Sequence, residues 1–231
     1  LHLDRIADIA LTEQEANREG EVVLFLNEND KAKGELTLEN VCFSYGDGQP
    51  LILNNVNFSI NAGDSIAITG PSGAGKTTLI NILSTLVIPD SGFVRVAGLD
   101  PVRDKEKVKH CISLTGQFAA VDDVLTGEEN LRMICRLNGL TAKESRSRSS
   151  ELLNRFGLTA AARKRVKTYS GGMRRRLDLA ISLTVSRPIL FLDEPTTGLD
   201  TRSRRELWDI VLDLKEQGIT IFLTTQYLEE A

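Results

Sequence analysis

The sequence predicts an α/β domain with a mostly parallel sheet, preceded by an antiparallel β part and interrupted by a helical insert. Two continuous apolar runs, at 189–192 and 219–223, are typical of strands in a parallel sheet that is covered on both faces. Alternating segments between residues 35 and 62 indicate antiparallel strands, and the stretch 122–168 shows helix signals with no strand pattern. The 231 residues are enough for one such domain with a large core.

The predicted elements follow one another from the N-terminus. Residues 1–33 predict a helix and a linker, because apolar side chains recur at helical spacing near the start of the chain. Residues 34–231 form the main domain, with its antiparallel β part at about 35–62. After residue 78 we expect a helix with Leu79, Ile82, Leu83 and Leu86 on one face, strands at 92–98 and 110–115, and an amphipathic helix around 207–214.

Two capping signals define the helical insert. Thr126 with Glu129, and Thr141 with Glu144, are capping boxes, in which a threonine starts a helix and a glutamate three residues later supports it. Gly157 ends the second of these helices, because glycine readily adopts the backbone conformation that terminates a helix. The sequence therefore predicts two consecutive helices in the insert.

Charge and cysteine content restrict the possible partners and compartment. A net charge of −4 gives no overall basic field, and we interpret the two local basic clusters, 163–167 and 174–176, as solvated helix faces. We therefore expect no nucleic-acid partner. Three scattered cysteines without metal-ligand spacing favour a reducing, cytoplasmic compartment. No apolar run approaches the length of a membrane span, so a role at a membrane requires a partner.

A glycine-rich motif is the strongest functional signal. Residues 70–77 read Gly-Pro-Ser-Gly-Ala-Gly-Lys-Thr, and they follow the apolar strand at 65–69 and precede a helix. This is the pattern of a P-loop, in which backbone N–H groups and the positive end of a helix dipole converge on phosphate. Lys76 can reach the outer phosphates, and the hydroxyl of Thr77 can bind Mg²⁺. The predicted phosphate-binding residues are Gly70, Ser72, Gly73, Ala74, Gly75, Lys76, Thr77 and Thr78.

Two adjacent acids end the apolar strand at 189–192. Asp193 and Glu194 lie where parallel sheets place their ligands, at the carboxyl end of a strand. We expect Asp193 to hold Mg²⁺, largely through water, and Glu194 to accept the proton of the water that attacks the γ-phosphate. An exposed acidic turn is the alternative. The preceding apolar strand disfavours it, because carboxylates at such a place are costly without a compensating cation.

A second short motif, Ser170-Gly171-Gly172, begins a helix 21 residues before Asp193. Ser170 alone is also a normal helix N-cap. Together with the P-loop and the acidic pair, this spacing resembles the nucleotide-binding domain of ABC transporters over residues 34–231. The resemblance implies the ABC ATPase fold, built on a P-loop NTPase core, and Mg²⁺-dependent hydrolysis of ATP.

The resemblance also implies roles for individual residues. Tyr45 matches the aromatic residue that stacks on adenine, although ordinary strand packing is the alternative for this side chain. Gln117 matches the glutamine that senses Mg²⁺ and the attacking water. Residues 170–172 match the signature motif, which caps ATP bound to the opposite subunit, and Asp200 matches the D-loop, which crosses between subunits. The resemblance therefore implies a head-to-tail homodimer around two ATP molecules.

The implied partner is a transmembrane domain or subunit of an exporter, which makes this chain cytoplasmic and peripheral to the inner membrane. The sequence departs from the family pattern at Met173, in place of the usual signature glutamine, and at Gln226, in place of the switch histidine. Gln226 can still donate to the γ-phosphate, so we expect it to contribute to slow hydrolysis. The strand that ordinarily follows is not present before Ala231, so we expect a C-terminally truncated domain.

Two other functions stay open at this point. One is a soluble, non-transport ABC ATPase that acts on ribosomes or DNA. The other is an ATP-dependent dimerising switch domain with little hydrolysis, which Gln226 and the truncation make credible.

The resemblance differs along the chain. Residues 79–231 resemble ATPases of the daunorubicin-resistance type, whereas residues 1–70 resemble peptidase-containing exporters of bacteriocins. The two parts meet at the P-loop, which both branches share, and recombination within that motif would preserve the register. A natural or engineered chimera is therefore the expectation.

Overall fold

Strands and helices alternate along most of the chain, as the sequence predicts. The computed structural model describes residues 34–46, 48–116 and 121–226, so the predicted N-terminal helix at 1–33 lies outside the described residues. The elements, in order, are β1 (Leu36–Phe43), β2 (Leu53–Ile60), β3 (Ser65–Thr69), α1 (Lys76–Leu83), β4 (Ser91–Val96), α2 (Lys105–Cys111), β5 (Ile112–Thr115), α3 (Gly127–Leu137), α4 (Ala142–Arg155), 3-10 turns at Thr159–Ala161 and Val166–Thr168, α5 (Gly171–Ser182), β6 (Ile189–Asp193), α6 (Thr201–Glu216) and β7 (Thr220–Thr225).

Four parallel strands, in the order β3-β7-β6-β5, form the main sheet. Both β6 and β7 are buried along their whole length, which confirms the interpretation of their continuous apolar runs. Along β6, Ile189 and Phe191 pack in one hydrophobic core, and Leu190 and Leu192 pack in a second core on the opposite face. Because the four strands are parallel, their carboxyl ends meet at a single edge.

An antiparallel sheet covers one face of the main sheet. Its order is β2-β1-β4, and Leu36 of β1 pairs with Ile60 of β2 and with Val96 of β4. The rings of Phe58 and Phe222 stack with their centroids 6.0 Å apart, which joins the two sheets across the first core. The predicted antiparallel β part is therefore present, but it also recruits β4, which follows α1 in the sequence.

Both predicted capping boxes are present, at the starts of α3 and α4. The Thr126 hydroxyl accepts a hydrogen bond from the backbone N–H of Glu129, and the Glu129 carboxylate accepts one from the N–H of Thr126. Thr141 and Glu144 repeat this arrangement. α4 ends just before Gly157, whose φ of 63° terminates the helix as predicted. The second core joins these helices to α5 and α6 through Leu131, Leu152, Leu177 and Leu207.

Three predicted boundaries were wrong. The strand predicted at 92–98 ends at Val96, because Ala97 and Gly98 turn the chain with φ of 52° and 73°. α1 ends at Leu83, so Leu86 lies beyond the helix and its side chain is exposed. The strand predicted at 110–115 begins only at Ile112, because the two preceding residues belong to α2. Among the described residues, no helix combines the length and the apolar character that crossing a bilayer requires.

Candidate nucleotide-binding site

The loop between β3 and α1 depends on glycine at two positions. Gly73 and Gly75 have φ of 83° and 86°, in the left-handed region that favours glycine. A Cβ atom at Gly75 would lie 3.0 Å from Leu53 and 3.1 Å from Ile52. At Gly73, no atom of the described residues lies within 4 Å of the corresponding position. The loop therefore packs tightly on β2 at Gly75 and is accessible at Gly73.

The N-terminus of α1 is suited to bind an anion. Gly75 is the N-cap, and no side chain caps the first turn of the helix. The positive end of the helix dipole lies at the same point. Lys76 is buried, and its ammonium group donates to the carbonyl oxygens of Gly70 and Pro71 at 2.6 Å and 3.0 Å. The loop thus contains a cation in addition to its N–H donors.

Thr77 and Asp193 meet beside the loop. The Thr77 hydroxyl donates to one carboxylate oxygen of Asp193 at 2.9 Å, and the other oxygen accepts a hydrogen bond of 2.6 Å from the hydroxyl of Thr224. Asp193 is only 3% exposed, so its carboxylate lies at a buried strand end. Hydroxyl and carboxylate oxygens are the ligands that Mg²⁺ prefers. The residues present therefore fit the metal that the sequence predicts.

Glu194 is held in place by four residues, one of which is Thr197, whose hydroxyl donates to a carboxylate oxygen at 3.3 Å. The backbone N–H of Glu194 donates to the carbonyl and hydroxyl oxygens of Thr224, each at 3.1 Å. The Gln226 amide donates to both carboxylate oxygens, at 3.0 Å and 2.8 Å, and the Lys76 ammonium lies 3.6 Å from one of them. Glu194 has φ of 47°, which is uncommon for a residue with a side chain and recurs at functional sites. The structure thus brings together Glu194, Gln226 and Lys76.

Tyr45 lies beside the first turn of α1. Its hydroxyl is 3.0 Å from the Thr78 hydroxyl, and its ring contacts the Phe43 ring edge-on, with 4.9 Å between centroids. The residue is 66% exposed, so burial in the strand packing does not explain it. An exposed aromatic ring next to the phosphate-binding helix has the chemistry to stack on a nucleotide base.

The predicted signature and D-loop residues begin two helices that touch. Ser170 is the N-cap of α5, and its hydroxyl accepts from the N–H of Met173 at 3.2 Å. Asp200 is the N-cap of α6 and accepts from the N–H of Ser203 at 2.7 Å, which lowers the pKa of this carboxyl group. A Cβ atom at Gly172 would collide with the Ser203 hydroxyl. Glycine at this position therefore allows the starts of α5 and α6 to approach each other.

Arg175, on α5, is a residue of the site that the sequence analysis missed. Its guanidinium group donates to three backbone carbonyl oxygens, those of Gly116 at 2.7 Å, Asp193 at 3.1 Å and Pro195 at 2.9 Å. It also pairs with the carboxylate of Asp178 at 3.2 Å. Burial lowers the pKa of Arg175, and the carboxylates of Asp178 and Asp193 oppose that shift. The guanidinium group nevertheless stays protonated.

The interpretation of residues 174–176 as a solvated helix face was wrong for Arg175 and Arg176, whose side chains are only 12% and 18% exposed. The charged residues of the other basic cluster, 163–167, are exposed as expected, but they lie in a loop and in the 3-10 turn Val166–Thr168 and not on a helix face. Asp178, an acid three residues after Arg175 and between two buried leucines, was the available signal that one arginine of the run turns inward. The predicted Gln117 lies outside the described residues.

The site therefore combines a phosphate-binding loop, an acidic pair and polar donors at the carboxyl ends of parallel strands. Five side chains lie within hydrogen-bonding or ion-pair distance of a neighbour in the group: Lys76, Thr77, Asp193, Glu194 and Gln226. Such a site can bind the phosphates of a nucleotide, neutralise their charge and hold a carboxylate near an attacking water. These features define the class of P-loop nucleoside triphosphatases.

Comparison with known proteins identifies the family within this class. The family model described as ABC transporter matches residues 53–197. The chain belongs to the ABC transporter family. A solved dimer of the ATP-binding cassette MJ0796, in a post-hydrolysis state bound to ADP and Pi, superposes with a TM-score of 0.75 and 29% sequence identity, over 84% of this chain and 89% of that one. The predicted ABC ATPase fold is thereby confirmed.

Similar curated proteins are drug-resistance ATP-binding proteins. The doxorubicin resistance ATP-binding protein DrrA of Mycobacterium tuberculosis is 52% identical over 188 residues, 81% of this chain and 57% of that protein. The daunorubicin resistance ATP-binding protein DrrA3 of Streptomyces coeruleorubidus is 50% identical over 196 residues, 85% of this chain and 61% of that protein. The chain thus spans less than two thirds of the length of these relatives.

The extent of these matches bears on the expected chimera. A match of 196 residues in a chain of 231 must include strands on both sides of the P-loop. The family model likewise matches across that motif without a break. The similarity to drug-resistance ATPases therefore does not begin at Leu79, and neither the resemblance of residues 1–70 to bacteriocin exporters nor the chimera is supported.

Proposed function

We propose that this chain binds and hydrolyses ATP as the nucleotide-binding domain of an ABC exporter, and that it dimerises around two ATP molecules to drive transport through a separate membrane subunit. The observation that carries the proposal is the convergence of Lys76 and Gln226 on Glu194 beside the P-loop. This cluster supplies a buried cation, a carboxylate and an amide donor at the mouth of an anion-binding loop. Phosphoryl transfer uses cations that neutralise phosphate charge and polar groups that position the attacking water, and this cluster contains both.

The P-loop is proposed to bind the phosphates through its N–H groups and Lys76. The Lys76 ammonium now donates to the carbonyl oxygens of Gly70 and Pro71, and it exchanges them for phosphate oxygens when ATP enters. Mg²⁺, held by Thr77 and Asp193 with Gln117, would neutralise charge on the outer phosphates when bound. Tyr45 is proposed to stack on the adenine ring, beside its Thr78 contact.

Glu194 is proposed to act as the general base. Its carboxylate takes a proton from the water that attacks the γ-phosphate, and the Gln226 amide keeps that carboxylate oriented. The left-handed backbone at Glu194 and the two bonds from its N–H to Thr224 fix the position from which the side chain extends. The base is therefore positioned by its own backbone as well as by its side-chain partner.

The second half of each ATP site is proposed to come from a second copy of this chain. Residues 170–172 at the start of α5 would contact the γ-phosphate across the interface, and Asp200 at the start of α6 would cross near it. The contact of Gly172 with Ser203 supports this, because it holds both segments on one surface. The dimer of the similar ATP-binding cassette supports the same arrangement.

A membrane subunit and a drug-like substrate are proposed from the relatives. Their names associate them with resistance to doxorubicin and daunorubicin, which are large organic molecules. We propose export of a hydrophobic substrate of this kind, with the chain at the cytoplasmic face of the inner membrane. The substrate is expected to bind to the membrane subunit.

The test of the proposal is Glu194→Gln, assayed with MgATP on the purified chain. We expect ATP affinity to be kept and turnover to fall by about 100-fold or more, because the amide cannot accept a proton. An ATP-dependent dimer should accumulate on size exclusion. Glu216→Gln, an exposed change on α6, is the matched control and should behave as the parent. Parental turnover in Glu194→Gln would refute the assignment of the base.

A binding-only switch is the second candidate function. The observation that favours it is Gln226 itself, because an amide that occupies both oxygens of Glu194 can hold the carboxylate without exchanging a proton. In that case the parent would dimerise with ATP, yet its hydrolysis rate would equal that of Glu194→Gln. The assay described above therefore separates the two candidates.

A further inference from the structure

The guanidinium group of Arg175 connects two parts of the proposed ATP site that are far apart in the sequence. One contact is to the carbonyl oxygen of Gly116, at the carboxyl end of β5, directly before Gln117 in the sequence. The other backbone contacts are to the carbonyl oxygens of Asp193 and Pro195, the residues on either side of Glu194. One side chain thus holds the end of β5 and the loop around Glu194 to the helix that begins after Ser170.

We infer that Arg175 is a positioning residue for hydrolysis, which sets the distance between the carboxyl end of β5, at Gly116, and the loop that carries Glu194. The inference rests on the proposed ATPase function. Arg175 does not touch the phosphate-binding loop in any contact described above, so its effect should fall on turnover and leave ATP affinity unchanged. Arg175 lies on α5, the helix that begins with the signature residues. A movement of this helix would therefore be transmitted through Arg175 to Gly116 and to the loop around Glu194.

The chemistry of arginine suits this task. The planar group directs five N–H donors outward in fixed directions, and in this structure it serves three carbonyl oxygens and one carboxylate at once. Asp178, itself buried, balances the charge. Lysine has three donors on a compact ammonium group and cannot serve the same four acceptors in this geometry. Arg175→Lys keeps the positive charge beside Asp178 but removes the planar arrangement of N–H donors.

Arg148 provides a matched control. It also uses its guanidinium group to join a helix to two backbone carbonyls and a carboxylate, with contacts to Leu183 at 2.7 Å, Thr184 at 3.3 Å and Glu151 at 2.6 Å. Those contacts lie between α4 and the end of α5, away from the loop around Glu194. Arg148→Gln should therefore lower stability without changing catalysis.

The experiment compares the parent, Arg175→Gln, Arg175→Lys and Arg148→Gln. We expect Arg175→Gln to reduce kcat by about 10- to 100-fold with unchanged ATP affinity, because small errors in the position of reacting groups cost that much. Arg175→Lys should lie between it and the parent, and Arg148→Gln should keep the parental kcat. A purely structural role for Arg175 would give equal kcat in the parent and in both Arg175 variants, which would overturn the inference.

Hydrogen exchange provides a readout that does not require hydrolysis. In Arg175→Gln we expect faster exchange both at 112–116 and at 193–196, whereas Arg148→Gln should leave these segments unchanged. If the parent itself fails to hydrolyse ATP, the proposed function fails. The hydrogen-exchange result then decides whether Arg175 holds the segments 112–116 and 193–196 together. Unchanged exchange at either segment in Arg175→Gln would contradict the inference.

Discussion

The amide nitrogen of Gln226 lies 3.0 Å and 2.8 Å from the two carboxylate oxygens of Glu194. This contact joins the residue that follows β7 to the residue that follows β6, two strands that are neighbours in the parallel sheet. A glutamine amide donates hydrogen bonds but does not change its charge near neutral pH. The proposed base is therefore oriented by a group whose protonation is constant.

Gln226→Ala should hydrolyse ATP more slowly than the parent, because the change removes an amide donor that orients the Glu194 carboxylate. In the parent we expect no histidine-like limb in the pH profile of single-turnover hydrolysis between about pH 6 and 8, whereas Gln226→His should introduce one. The measurement is single-turnover hydrolysis at saturating ATP across that range. If Gln226→Ala matches the parent, the side chain has no part in the reaction.

Lys76→Ala should lower ATP affinity by about 10- to 100-fold, since a hydrogen bond to a charged group contributes about 1.5–3 kcal/mol. Lys76 is buried, and its ammonium group already lies at the loop, where it donates to the carbonyl oxygens of Gly70 and Pro71. Nucleotide titration measures the effect. Lys109→Ala is the control, because Lys109 is half-exposed and pairs only with Glu106 among the contacts of its side chain described here. Equal affinities for the two variants would be incompatible with the predicted role of Lys76.

Thr224→Val should destabilise the fold by about 1–3 kcal/mol, the usual cost of leaving buried polar groups without a partner. The Thr224 hydroxyl donates to Asp193 and accepts from the N–H of Glu194, and valine keeps the shape without the hydroxyl. Denaturant unfolding measures the loss. Thr168→Val, at an exposed residue whose hydroxyl donates to the Arg165 carbonyl, should change stability far less. A similar loss in both variants would count against the importance of the buried hydroxyl.

Glu129→Gln should weaken the start of α3 at neutral pH but not at low pH. The N–H and the hydroxyl of Thr126 donate to Glu129 and lower the pKa of its carboxyl group in the folded state. That contribution to stability is complete above the unfolded pKa of about 4.3, and it is lost as pH falls through the lower folded pKa. The difference in unfolding free energy between parent and variant should therefore shrink with acidification.

Glu128→Gln is the control for that experiment, because Glu128 is the neighbouring acid and pairs only loosely with Arg132, at 3.5 Å. Its variant should follow the parent across the pH range. A constant difference between Glu129→Gln and the parent down to acid pH would show that the bonds to Thr126 are not the source of the pKa shift.

The main sheet and the loop at its edge could be predicted from the sequence because their patterns are local. β6 and β7 are continuous apolar runs, and the P-loop residues are contiguous. The short helix α2 left no such pattern, since only Val108 and Cys111 of its seven residues are buried. The pairing of β4 with β1 depends on contacts between distant segments, which strand propensity alone does not contain.

The site likewise contains some residues that a local sequence pattern predicts and others that only contacts between distant segments reveal. Asp193 and Glu194 were predictable because they end an apolar strand, and Lys76 because it belongs to a contiguous motif. The role of Arg175 was not predictable from its own neighbours, because Arg174 and Arg176 have the same charge and only the packing of α5 brings the middle guanidinium group to the three backbone carbonyls. Its three carbonyl partners lie at or just beyond the carboxyl ends of two strands, β5 and β6, and backbone carbonyls have no signature in a sequence.

The close approach of Gly75 to Ile52 and Leu53 has a consequence for anyone who wishes to transplant this site. Gly75, the residue before α1, packs against the antiparallel sheet. The sheet is therefore a structural part of the phosphate-binding site. A graft that began at β3 would carry the complete motif and yet lack the surface that holds it in shape. The smallest transferable unit therefore begins upstream of the motif, at β1.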